Sequence, residues 1–122
     1  MFYTTYFAKL NSLPDIIVPI SICGKAPDWY KGIQYKKLAP KLEFWKVWEE
    51  TKDNDYYIEN YYKSVLNKLN VEDVLKELYE IAGSKNIALV CYEKPGDFCH
   101  RHLVADWFRE YNIPITEFTY GG

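Results

Sequence analysis

The length, composition and charge of the chain exclude several classes of protein. With 122 residues, 48% of them hydrophobic and 26% charged, the chain has the size and composition of one globular domain, residues 1–122. No apolar run approaches the roughly 20 residues of a membrane span, so no membrane contact is expected. The formal net charge of −2 argues against a broad electrostatic interaction with nucleic acid, which is therefore not a favoured partner.

Cysteine usage and the first residues predict a cytoplasmic protein. Three cysteines, an odd number without the spacing of a disulfide framework, are typical of a reducing compartment. Residues 1–10 lack the basic segment and following apolar segment of a secretory signal. Nothing in these patterns specifies an oligomeric state.

Two strands and a long loop are predicted in the first third of the chain. Residues 2–7 are rich in Tyr, Thr and Phe, and residues 16–22 form a second apolar and β-branched run. Pro19 interrupts the second run, and because proline donates no ladder hydrogen bond this strand is expected at a sheet edge or with a bulge. Residues 24–40 contain two Gly and two Pro without sustained periodicity and predict a long loop.

Three helices are predicted between residues 42 and 83. The first covers residues 42–50, and its aromatic stripe is assigned to the core rather than to a binding surface: Phe44, Trp45 and Trp48. The second covers residues 55–69, whose apolar side chains fall on one face. Asn70 is expected to cap the third helix, and Gly83 is expected to end it.

The last third of the chain predicts a strand, a helix and a strand. Residues 87–92 form an almost continuous apolar run, typical of a strand covered on both faces in a parallel sheet. The next helix has an apolar side made of Leu103, Val104, Trp107, Phe108 and Tyr111. Residues 113–118 form a short final strand. This order predicts an α/β fold, a small layered domain with a mainly parallel sheet flanked by helices and at least one right-handed crossover.

Chemically versatile side chains are concentrated in residues 91–102, which read CYEKPGDFCHRH. This segment contains both histidines of the chain, two of its three cysteines and one of its two arginines. Ligands of open parallel sheets bind beyond the carboxyl ends of strands, which is where Cys91 and Glu93 are expected. The free N–H groups and positive dipole end of the following helix favour an anion, and His100 and Arg101 add donors there.

Cys99 is the candidate nucleophile of this segment. A helix N-terminus flanked by His100 and Arg101 lowers the pKa of a thiol, whereas burial at the end of an apolar strand raises the pKa of Cys91. The alternative is that both cysteines are small buried hydrophobic residues. Asp97 is expected to cap the helix.

Other residues are expected to complete the site. The predicted catalytic set consists of Cys99, Cys91, His100 and Glu93, and the predicted ligand-binding set consists of Arg101, His102, Cys23 and Glu117. Arg101 is expected to hold the anion without a role in packing. Cys23 and Glu117 reach the same edge if their strands run parallel to the central one. Glu117 would then serve as a general acid or base, and surface exposure is its alternative.

Three known chemistries fit the spacing less well. Phosphatase and rhodanese-type loops hold their anion with a cysteine much closer to the arginine than the nine residues that separate Cys91 from Arg101. A zinc site is not favoured, because adjacent residues at a helix start are expected to point in different directions. Seven residues separate Cys91 from Cys99, instead of the two of a thioredoxin pair. No metal and no cofactor are therefore expected.

The segment CYEKPGDFCHRHLVADWF resembles a bacterial and phage family, domain of unknown function 488. The shared pattern is an apolar strand that ends in Cys-Tyr-Glu, followed by Phe-Cys-His-Arg at the start of a helix. The resemblance implies a compact α/β protein whose signature residues are Cys91, Glu93, Cys99, His100 and Arg101. It implies no established activity.

These observations lead to a hypothesis about a ligand and leave the reaction open. The leading hypothesis is a pocket at a strand–loop–helix junction that binds, and acts on, a small anionic ligand such as a nucleotide. One alternative is a binding or interaction module without catalysis, for instance a phage or host-defence factor. Another alternative is a protein associated with nucleic acid. Whether the protein is an enzyme is left open by the sequence.

Overall fold

A sheet of five parallel strands forms the centre of the computed structural model, which describes residues 1–84 and 86–120. In chain order the strands are β1 (Phe2–Tyr6), β2 (Val18–Ser21), β3 (Ile33–Gln34), β4 (Ile87–Cys91) and β5 (Ile115–Glu117). Their order across the sheet is β3–β2–β4–β1–β5. Helices flank this sheet, so the predicted α/β class with a mainly parallel sheet is confirmed.

Strand β4 occupies the middle of the sheet. All five of its residues are buried, as expected of an apolar run covered on both faces. It pairs with β1 on one side and with β2 on the other. Cys91 therefore ends a strand that is held by ladders on both sides, which fixes the position of its thiol.

The strand that contains Pro19 lies inside the sheet and pairs with β4 in a continuous register without a bulge, so the expectation of an edge or a bulge was wrong. Strand β2 lies between β3 and β4, and Pro19 is opposite Ala88 of β4. The edge strand β3 is only two residues long, and its pairing with β2 begins at Ile20, one residue beyond the proline. The N–H that proline lacks is thus not needed by β3.

In the residues that the structure describes, four α-helices connect and cover the strands: α1 (Leu42–Thr51), α2 (Asn54–Ser64), α3 (Val71–Ala82) and α4 (His100–Glu110). The predicted caps of α3 are confirmed. The Asn70 side chain accepts a hydrogen bond from the Asp73 N–H at 3.1 Å, and Gly83 has the left-handed φ of 64° that ends helices. None of the helices in the described part of the chain is long and apolar enough to cross a membrane.

Two predicted elements differ from the structure. The single helix expected over residues 55–69 is instead α2 followed by a 3-10 turn, Leu66–Lys68, because Val65 adopts the non-helical dihedral angles φ −121° and ψ −72°. The turn buries Val65 and Leu66, which are adjacent in sequence, in the same core. The loop expected over residues 24–40 contains β3 and the 3-10 turn Lys36–Leu38.

Arg101 is fully buried and joins several elements. Its Nε and one Nη donate to the two carboxylate oxygens of Glu117 at 3.1 Å each, and its other Nη donates to the Glu93 carbonyl oxygen. The guanidinium also lies 5.7 Å from the centre of the Tyr6 ring. Thr4 donates a further hydrogen bond to Glu117 at 2.6 Å. The expectation that Arg101 has no role in packing was therefore wrong.

We expect Arg101→Ala to lower the free energy of unfolding by about 3 kcal/mol. This value is near the lower end of the roughly 3–5 kcal/mol for breaking a buried pair, because the side chain of Glu117 remains 25% exposed. Urea denaturation followed by circular dichroism measures the difference. Asp106→Ala is the control, since it breaks an exposed ion pair with the other arginine, Arg109, and should change stability by about 0.5 kcal/mol or less. A loss for Arg101→Ala no larger than that of the control would contradict a structural role.

Candidate functional site

The three cysteines of the chain meet at the carboxyl edge of the sheet. Cys91 ends β4, Cys23 follows β2, and Cys99 immediately precedes α4. All three are free thiols and are buried. The Cys23 and Cys91 sulfur atoms are 3.6 Å apart. The parallel strands thus bring together thiols that are 68 residues apart in sequence.

Cys99 adopts an extended backbone at the start of α4. Its φ of −154° and ψ of 141° make it the N-cap residue of the helix. Asp97 was expected in that position but lies in the preceding turn, where its N–H donates to the Lys94 carbonyl. The two side chains were expected to point in different directions. They converge instead, because Cys99 is extended and His100 is helical. The Cys91 and Cys99 sulfurs and a ring nitrogen of His100 lie within 4.8 Å of one another.

His100 is oriented by a backbone carbonyl. Its Nε2 lies 2.7 Å from the Ile22 carbonyl oxygen, which only accepts hydrogen bonds, so Nε2 carries the proton. The other nitrogen, Nδ1, is therefore directed toward the thiols and lies 3.5 Å from the Cys91 sulfur. The Tyr61 ring packs edge-on against the imidazole at 5.6 Å between centres. These contacts hold the ring in one orientation.

The thiols of Cys91 and Cys99 differ in acidity. Burial raises the pKa of Cys91 well above its ordinary value. Burial also acts against ionisation of Cys99, but hydrogen bonds from the Cys91 and His100 side chains outweigh it and hold the pKa of Cys99 well below its ordinary value. Cys99 is thus the residue at which a thiolate is stabilised, with His100 as its partner.

Glu93 and Cys23 border this pair of thiols. A carboxylate oxygen of Glu93 accepts a hydrogen bond from the Cys91 thiol at 3.7 Å. Burial raises the pKa of the Glu93 carboxyl, with the negative charge of Cys99 adding to the effect. The hydrogen bond with Cys91 lowers the pKa of Cys23. The site therefore places a carboxyl group, from Glu93, and a third thiol, from Cys23, next to the Cys91 thiol.

A cavity of about 710 Å³ opens above these groups. Cys23, Cys91, Glu93, Cys99 and His100 line it on one side. Lys25 and Glu49 add charged groups to the lining. Its apolar lining comes from residues that are distant in sequence: Pro40, Leu42, Trp45, Trp48, Tyr57 and Phe98. The volume lies within the range of roughly 300–1,000 Å³ for small-molecule sites.

The tryptophans of α1 belong to this cavity, although the sequence pattern assigned them to the core. Trp45 is 39% exposed, and Trp48 stacks on Phe98 with 5.5 Å between ring centres. Helical spacing reveals that aromatic residues share a face, but only part of this face packs against the core: Trp48 is partly buried against it, whereas Trp45 lies at the cavity. Only Phe44 of the predicted stripe is buried in the core.

Three predicted ligand-binding residues lie elsewhere. Arg101 and Glu117 bind each other and do not contribute to the cavity lining. Glu117 borders a smaller cavity of about 350 Å³, together with Tyr6 and Lys9. His102 is half-buried on α4 and is also outside the lining of the large cavity. The large cavity is accordingly lined by Lys25 and by His100 at the start of α4.

The resemblance seen in the sequence extends over most of the chain. No curated protein and no solved structure gives a significant match. A family model described as the active DUF488-N3 subclade, DUF488-N3a, matches residues 10–112, a span that includes all three cysteines and the aromatic side of the cavity. The chain therefore belongs to the DUF488 family, within the subclade DUF488-N3a.

Proposed function

We propose that the cavity binds a small ligand with a planar ring and a negatively charged group, such as a nucleotide, and that Cys99 acts on this ligand as a nucleophile. The observation that carries the proposal is the position of Cys99. Cys99 lies next to His100 at the start of α4. It lines the same cavity as a group of aromatic side chains, here called the aromatic wall: Trp45, Trp48, Tyr57 and Phe98. The subclade that the chain matches is described as active, which agrees with an enzyme.

The aromatic wall supports a planar ring as the apolar part of the ligand. Trp48 is already engaged, since Phe98 stacks on it and the Lys52 ammonium lies 4.0 Å from its ring centre. Trp45 has a partly exposed ring that lines the cavity. Stacking on such a ring is a common way to bind a base, because every base has a flat π face.

The start of α4 supports an anionic group on the ligand. The first N–H groups of a helix lack partners within the helix and point along its positive dipole end. Lys25 adds a cation to the lining of the cavity. Glu49 and Glu93 also line it, and burial raises the pKa of the Glu93 carboxyl.

The neighbouring residues have defined roles in a nucleophilic step. The Cys99 thiolate forms a bond from sulfur to an electrophilic carbon of the ligand, and the bond from that carbon to its leaving group breaks. Glu93, in its protonated form, supplies the proton that the leaving group takes up. His100 and the un-ionised Cys91 thiol stabilise the thiolate before the attack. Water then attacks the same carbon and gives a proton back to Glu93, and the bond from carbon to sulfur breaks, which restores the Cys99 thiolate.

The three cysteines allow a direct test of the nucleophile. Their exposed fractions are nearly equal, at 4% for Cys23, 3% for Cys91 and 4% for Cys99. Differences in alkylation rate therefore report the thiolate fraction more than solvent access. In metal-free protein at about pH 6.5, below the free-cysteine pKa of about 8.5, we expect iodoacetamide to modify Cys99 at least about tenfold faster than Cys91. Peptide mass spectrometry over a time course assigns each site.

His100→Asn tests the partner of the thiolate. This change removes the imidazole and should reduce the alkylation rate of Cys99 toward that of an ordinary buried thiol. His102→Asn is the matched control, because His102 lies two positions further along α4 and does not line the cavity. Equal alkylation rates for Cys99 and Cys91 in the wild-type protein would refute the nucleophilic role, whatever the variants show.

The aromatic wall is tested with a panel of nucleoside monophosphates and triphosphates. We expect at least one to raise the melting temperature, and Trp45→Leu to weaken its binding by about 1–3 kcal/mol, or roughly 5–150-fold, through loss of stacking. Isothermal titration calorimetry measures the dissociation constant. Trp29→Leu is the control, since Trp29 is 59% exposed and does not line the cavity. If no nucleotide binds, nucleotides are not the ligand class. If both variants lose the same affinity, Trp45 does not stack on the ligand.

The fate of a bound nucleotide separates an enzyme from a binding module. After long incubation with excess protein, chromatography should show a chemically changed nucleotide and no change with Cys99→Ser. An unchanged nucleotide with wild-type protein would leave the binding part of the proposal standing and exclude catalysis on that compound.

A further inference from the structure

We propose that Cys91, Cys99 and His100 also form a binding site for a thiophilic divalent cation of the Zn(II) class, and that the bound ion and a nucleophilic Cys99 exclude each other. The first part stands on the geometry of the three side chains. The second part rests on the proposed function, because it concerns the same sulfur atom.

The donor atoms have the chemistry and the proximity that such an ion requires. Two thiol sulfurs and one imidazole nitrogen lie within 4.8 Å of one another, and all three residues are buried. Zn(II) prefers sulfur and nitrogen ligands, at about 2.3 and 2.0–2.1 Å, in a tetrahedral arrangement. Three ligands separated by such distances can enclose one ion after small side-chain rotations. The set matches the two-cysteine, one-histidine ligand type of catalytic zinc sites.

The environment of His100 is the independent observation. Histidine ligands of metals almost always donate their second N–H to a carbonyl or carboxylate, which fixes the ring and its tautomer. Nε2 of His100 makes this contact with the Ile22 carbonyl oxygen at 2.7 Å, so that the lone pair of neutral Nδ1 faces the two sulfurs. A histidine that only filled the core would not need its free nitrogen directed at two thiols.

The cavity leaves one coordination position accessible. Cys91, Cys99 and His100 all line the 710 Å³ cavity, so a fourth ligand reaches the ion from that space. Cys23 is the nearest further sulfur to Cys91, at 3.6 Å, but it is not one of the three residues whose donor atoms converge. We therefore assign the fourth position to water or to the bound small molecule.

The shared sulfur atom explains why the two states exclude each other. A divalent ion bound by two thiolates and a neutral imidazole has no net charge, so the metal-bound state leaves no uncompensated charge in the buried cluster. In the metal-bound state the Cys99 lone pair is shared with the ion, which removes its nucleophilicity.

The experiment uses reduced, chelator-treated protein titrated with ZnCl₂ and, in parallel, with CoCl₂. We expect binding of about one Zn²⁺ per chain by elemental analysis after desalting, and thiolate-to-cobalt charge-transfer absorption with Co²⁺. Cys91→Ser and His100→Asn should each weaken Zn²⁺ binding by more than the roughly 10–100-fold that loss of a partner of a ligand causes. His102→Asn is the matched control and should keep wild-type affinity, because His102 does not line the cavity.

The protection of Cys99 gives a readout that does not depend on the variants. We expect a stoichiometric amount of Zn²⁺ to slow the alkylation of Cys99 at least about tenfold, with recovery when a chelator is added. If the wild-type protein retains well under one ion per chain and Zn²⁺ leaves alkylation unchanged, the metal site is refuted. Fast alkylation of Cys99 in the metal-free protein would in that case still support the nucleophile, so the two proposals fail separately.

Discussion

The buried charge of Arg101 is the constraint on which the arrangement of the site depends. A guanidinium without solvent must be paired and hydrogen-bonded, and here its partners come from three places: Glu117 of β5, the Glu93 carbonyl after β4, and the Tyr6 ring at the end of β1. These contacts fix the first turn of α4 against the sheet edge. Cys99 and His100 directly precede Arg101, so the position of the guanidinium determines where their side chains lie.

The sheet and the location of the site could be predicted because local patterns carry that information. The continuous apolar run of β4 identifies a central parallel strand from its own residues, and side chains beyond such a strand lie at the edge where ligands bind. The concentration of Cys, His and Arg after β4 marked the same place. The caps of α3 were likewise local, since Asn70 and Gly83 act on backbone groups within a few residues.

The contents of the site were harder to predict because they depend on contacts between distant segments. The pairing of Arg101 with Glu117 follows from the position of β5 beside β1, which no periodicity reveals. The same holds for Trp45, because a helical stripe shows which residues share a face but not what lies opposite. The convergence of Cys99 with His100 was not predicted for another reason, since adjacent residues at a helix start were expected to point in different directions. It depends on an extended N-cap backbone, whereas the argument from spacing treated both residues as helical.

Burying thiols and an imidazole together costs free energy unless their charges are compensated. This requirement applies to the proposed nucleophile and to the proposed metal site alike. A ligand that fills the cavity removes water from around Cys99, which strengthens the attraction between thiolate and imidazolium. The Ile22 carbonyl serves both states, because it accepts the Nε2 proton whether Nδ1 binds a proton or an ion. The sheet therefore holds one rigid set of donors, and under our two proposals the occupant of the space between them determines whether Cys99 acts as a nucleophile or as a metal ligand.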